Sequence, residues 1–107
     1  MNVAKGWLRA SHREKDEQRS TPQRPYYTHT NPQPIEPGKV YKYEVEIWPA
    51  VHCFRKGHRI RLDIAIGDTL FTDSFFTHQY FYYKVGTDTY HHNATYASRL
   101  MLPVLEN

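Results

Sequence analysis

Residues 45–66, VEIWPAVHCFRKGHRIRLDIAI, decide how this chain is read. Two alternating runs flank a short connection marked by Pro49 and Gly57. Upstream, the alternation begins at Lys39. Tyr41, Tyr43, Val45 and Ile47 share one face, and Lys42, Glu44 and Glu46 share the other. A two-residue period of this kind is the pattern of a half-buried strand, in which a one-residue slip would expose every apolar side chain. Downstream, Ile60, Leu62, Ile64 and Ile66 point one way, while Arg59, Arg61 and Asp63 point the other. Two one-sided strands imply a sheet covered on one face, as in a sandwich.

Outward from this centre the pattern holds in places. Val3 to Ala10 reads as a strand, with Gly6 as a bulge or a close backbone approach. Residues 80–85, 87–91 and 100–104 read as three more, the last with Leu100, Leu102 and Val104 facing inward. Between the first strand and Lys39 runs a segment, 11–38, that begins with a charged cluster, His12 to Glu17; the stretch His12–Arg19 suits one helical turn at most. The segment then carries Pro22, Pro25, Pro32, Pro34 and Pro37. Each proline lacks the N–H that a ladder requires, so this segment is expected to be a long ordered crossing loop or a partly mobile arm. Pro37-Gly38 and Gly57 are turn signals.

The whole chain has 107 residues, which suits one domain with a small core. No apolar run approaches the ~18 residues of a membrane span, and the N-terminus lacks the apolar stretch of a signal peptide. A formal charge of +3, from 14 basic and 11 acidic residues, falls short of the cationic field that nucleic acid requires. The single cysteine, Cys53, excludes an internal disulfide and points weakly to a reducing, cytoplasmic setting. Nine tyrosines within an aromatic share of 15% favour sheet structure.

Three patches resemble the C-terminal β-sandwich of the cocaine-esterase and X-Pro dipeptidyl-peptidase class of serine hydrolases. They are GWLRASHRE at 6–14, WP with H.FRKGHRIRLDI at 48–64, and SRLMLPV at 98–104; Pro37-Gly38 with Val40 and Tyr90-His91 fit the same order. The resemblance implies an all-β, jelly-roll (galactose-binding-like) sandwich docked on an α/β-hydrolase catalytic domain in the same or a parent chain. Members hydrolyse esters, amides or X-Pro peptides with a Ser–His–Asp triad held outside this domain. The family's sandwich is longer and has further strands ahead of the entry strand, so this chain resembles its C-terminal half. Residues 68–83 depart from it, carrying an aromatic run where a Pro- and Asn-rich loop is usual. On this reading residues 1–107 form one sandwich segment that stabilises the catalytic domain and helps to wall its cleft. Trp7, Tyr26, Tyr27, Trp48, Phe54, Gly57 and Arg59 are its structural and docking candidates, and unpaired sheet edges are expected to favour self-association.

The residues themselves offer little chemistry. Ser11, Ser20, Ser74 and Ser98 all lack the Gly-x-Ser-x-Gly setting of a nucleophile elbow, so no catalytic residue is assigned. His91-His92 and His52-Cys53 are neighbours that a strand sends to opposite faces, so no metal and no cofactor is expected. Cys53 reads as a small buried hydrophobe rather than half of a Cys–His pair. The basic turn 55–61 reads as solvated, with Asp63, Glu44 and Glu46 as cross-strand ion partners. The aromatic run Phe71, Phe75, Phe76 and 80–83 fills a core, faces a partner domain or stacks on a ligand. The competing function is a free-standing module that binds carbohydrate or another small ligand. Asn93-Ala94-Thr95 is a glycosylation sequon, without meaning in the absence of a secretory signal.

Overall fold

The computed structural model describes residues 2–65 and 86–106. The chain divides into two units, Met1–Arg59 and Ile60–Asn107. The strand expected at 80–85 and the aromatic run 71–83 lie outside the described residues.

In the first unit, residues 5–7 lie against 46–48. The Trp48 N–H donates to the Lys5 carbonyl at 2.9 Å. Gly6 sits so close to the Glu46 carbonyl that a Cβ there would overlap it, and the Ile47 Cα would stand 3.0 Å away. The close approach read from the sequence at Gly6 is therefore what the backbone makes. The chain then turns through a short 3-10 segment, Ala10–His12, closed by His12 N–H to the Arg9 carbonyl at 2.8 Å.

Past that turn the 11–38 segment folds back on itself. Lys15 and Tyr27 form an antiparallel bridge flanked by Asp16 N–H to Tyr26 O at 2.8 Å and Thr28 N–H to Glu14 O at 3.3 Å. Between them the chain reverses through one helical turn, with Ser20 N–H donating to the Asp16 carbonyl at 2.9 Å. The Asp16 carboxylate accepts from the N–H groups of Gln18 and Arg19 at 3.0 and 3.2 Å, which supplies donors at the start of a turn with a cap. The turn stays within the limit of one helical turn read for His12–Arg19.

Both glycine turns form as expected. Lys39 N–H donates to Glu36 O at 3.3 Å with Gly38 at φ 78°, and His58 N–H donates to Arg55 O at 3.0 Å with Gly57 at φ 86°. A positive φ at the third position is the type II geometry that glycine makes without steric cost. The Glu36 N–H is also held by the Tyr41 hydroxyl at 3.1 Å, which ties the first turn to the segment that follows.

The alternation at 39–48 is put to a use that its period alone does not reveal. Glu44 and Glu46, on the polar side, receive cations from the 11–38 segment, whereas Tyr43, Val45 and Ile47, on the apolar side, remain exposed. Among the described residues no hydrophobic side chain is fully buried. Cys53 is exposed as well, which corrects the expectation of a buried thiol: it lies in the open stretch before the Gly57 turn, where nothing packs over it.

In the second unit, Arg61 grips Asp63 through its Nε and Nη2 at 3.2 and 2.8 Å. Residues 91–98 bend around Asn93, whose side-chain oxygen accepts from the N–H groups of Thr95 and Tyr96 at 3.0 and 2.8 Å. The Ser98 hydroxyl closes the bend on the His91 carbonyl, and the rings of His91 and Tyr96 meet at 5.3 Å. The sequon at Asn93 is thus a turn whose amide oxygen is already engaged. Ile60, Leu62 and Ile64 are exposed along one side of their segment.

Candidate functional site

Prolines leave carbonyls without local N–H partners, so a proline-rich segment becomes ordered only if donors come from elsewhere. Arg13 supplies them. Its guanidinium donates to the carbonyls of Gln33 at 2.8 Å, Pro34 at 3.3 Å and Ala10 at 3.2 Å, and lies 4.4 Å over the Tyr41 ring. The Gln33 N–H returns a bond to the Ser11 carbonyl at 2.8 Å. The arm is therefore fastened at both ends of its loop, and the fork of N–H groups that only arginine offers makes one side chain sufficient.

A charged cluster sits beside this fastening. Lys15 pairs with Glu44 and stands 3.8 Å from Glu17, while Lys42 reaches the other Glu44 oxygen at 2.9 Å. Arg24 pairs with Glu46 at 3.1 Å. Arg13, Lys15, Tyr27, Lys42 and Glu44 enclose a hollow of about 140 Å³. Hydrogen bonding to Lys15, then to Lys42, holds the Glu44 carboxyl below its ordinary value. The same bond raises the Lys15 ammonium above its own. Burial pushes the Tyr27 phenol up, with the Glu44 charge adding to it. The Glu44 backbone lies close enough to favour the phenolate slightly, yet the enclosed hydroxyl completes no hydrogen bond. The ion partners expected for the basic turn 55–61 are Asp63, Glu44 and Glu46. Arg61 does take Asp63, whereas Glu44 pairs with Lys15 of the arm and Lys42 of its own segment, and Glu46 with Arg24 of the arm.

The docking candidates separate into distinct settings. Trp7 and Trp48 come together as a stacked pair, centroids 5.8 Å apart and planes inclined by 20°, with 65% and 63% of each left exposed. Tyr26 and Tyr27 part company: Tyr27 faces the charged hollow, and Tyr26 is exposed beneath Arg19, whose guanidinium lies 5.3 Å over its ring. Phe54 meets His52 edge-on at 4.8 Å, and Gly57 makes the turn that follows. Arg59 is exposed at the end of the first unit. Sequence reading missed Tyr41, Glu44 as a clasp residue, and a contact between His12 and His29, whose Nδ1 atoms are 3.0 Å apart. Tyr41 carried a weak signal, since aromatic rings attract cations and Lys39 stands two residues away. The histidine contact joins residues far apart in sequence and carried none.

Among the described residues, two serine hydroxyls are committed to backbone. The Ser20 hydroxyl bonds the backbone of Tyr26, and Ser98 bonds that of His91. Cys53 shares an open hollow with Val51, His52, Arg55 and His58, with no sulfur hydrogen bond among the described residues. Among those residues, too, no group of three or more His, Cys, Asp or Glu is placed to hold a metal. No helix among them is long and apolar enough to cross a membrane.

Compared with protein families, residues 1–101 match the X-Pro dipeptidyl-peptidase C-terminal non-catalytic domain. The chain belongs to that family. The match runs through all three sequence patches that carried the resemblance, apart from the last residues of the third. A domain of this description accompanies a catalytic domain. Comparison with curated proteins and with solved structures gave no match.

Proposed function

We propose that this chain is an all-β, jelly-roll accessory segment that stabilises an α/β-hydrolase catalytic domain and helps to wall its substrate cleft. Ester, amide or X-Pro peptide hydrolysis is carried out by a triad outside residues 1–107. The observation that carries this reading is the uncovered apolar row Tyr43, Val45 and Ile47. The arm meets the apolar side at Tyr41 and otherwise pairs with Glu44 and Glu46, which leaves Tyr43, Val45 and Ile47 open to a second layer or a neighbouring domain. Aromatic and aliphatic side chains with few charges between them are the composition of interface cores. Tyr26 and the Trp7–Trp48 stack are further outward-facing rings at which an adjoining domain gains contact area.

The test uses the whole hydrolase that carries this domain. Substituting Val45→Glu with Ile47→Glu should lower its melting temperature and raise KM, with kcat per folded molecule kept. Unchanged stability and kinetics would remove the supporting role. Binding of the chain to a glycan array, with no effect on the hydrolase, would favour a free-standing carbohydrate module instead.

A further inference from the structure

His12 and His29 meet across the base of the arm. Their Nδ1 atoms are 3.0 Å apart and their ring centroids 5.2 Å, with planes inclined by 59°. Each ring is placed by its own element. His12 closes the 3-10 turn through its backbone, and His29 stands two residues past the bridge, its ring tilted against Tyr27 at 6.2 Å. His29 also holds φ at 56°, in the left-handed region where histidine is several-fold more common than most residues with a Cβ.

We propose that His12 and His29 form a two-nitrogen site for a divalent copper or nickel ion, which cross-links the arm to the N-terminal turn. The two nitrogens stand close enough for one ion to reach both, since metal–nitrogen bonds are about 2.0–2.1 Å. Imidazole suits copper(II) and nickel(II), and copper(II) outranks zinc at a given nitrogen site. Water fills the remaining positions, and small rotations of the two rings bring both lone pairs onto the ion. Binding needs neutral imidazoles, so acid releases the ion. A cross-link between residues 12 and 29 closes the loop that holds the Lys15–Tyr27 bridge, and so stiffens the arm.

The test adds CuCl2 below stoichiometry to the full chain and follows all histidine ring signals by NMR. The rings of His12 and His29 should broaden ahead of the others, and the frozen sample should show electron-spin coupling to two imidazole nitrogens. His12→Asn and His29→Asn should each weaken the tightest copper binding by at least the roughly tenfold that losing even an outer-shell partner costs. Asparagine tolerates the left-handed backbone at position 29, which keeps that variant folded. His91→Asn should leave the binding unchanged. Broadening that starts at another histidine, or coupling to fewer than two nitrogens, overturns the site and leaves the pair as a direct imidazole–imidazole hydrogen bond.

Discussion

Gly6 carries no side chain because none fits. A methyl there would run into the Glu46 backbone, which cannot swing away as a flexible side chain would. Gly6→Ala should cost about 1–3 kcal/mol, read as a lowered urea midpoint, by the logic of overpacking. Gly57→Ala meets open space but keeps a φ of 86°, so its cost of about 1–2 kcal/mol is conformational alone. Both glycines could be marked from sequence, since each interrupts a pattern that other residues continue. Glu44 could not. In an alternating run it is one more polar residue; Lys42 stands two places away in the same run, but Lys15 is supplied by a fold-back that no local period encodes. Its effect on stability has a definite sign. The carboxyl lies below its ordinary 4.5, so the pairing contributes fully above that pH and is lost as pH falls through the lower folded value. The Lys15 ammonium lies above 10.5, so its contribution is complete below that pH and fades as pH rises through the folded value. Glu44→Gln should therefore flatten the acid side of a plot of urea midpoint against pH.

At the scale of elements, the arm shows how far sequence reading reaches. Its five prolines predict a crossing segment, and its start allows one helical turn at most; a turn forms on Asp16. The sequence leaves its order open, because order here depends on where the donors come from. Arg13 provides them to a stretch whose prolines offer few. Arg13→Ala should free the far end of the arm, at a cost of about 1–3 kcal/mol for charged hydrogen bonds. Faster amide exchange at Gln33 and earlier proteolysis near residues 31–34 would report it. Asp16→Ala should cost about 1 kcal/mol as the loss of a cap, while leaving Gln33 protected.

Across the molecule, the open row Tyr43, Val45 and Ile47 governs behaviour in isolation. The sequence period groups these residues with Tyr41 as the side to be covered, and the structure leaves the three of them exposed. The period could not say which face the chain covers for itself, because that depends on charges arriving from the arm. An uncovered apolar row should make the chain associate with itself when no catalytic domain is present. Sedimentation velocity should show a concentration-dependent shift that Val45→Glu suppresses, and a monomer at every concentration would contradict it. The chain's two tryptophans are also both in the same stack. All of its indole emission and any exciton couplet in circular dichroism thus arise at the junction of residues 5–7 with 46–48. An undisturbed sample carries its own optical gauge of whether the N-terminal segment is seated, with no label attached.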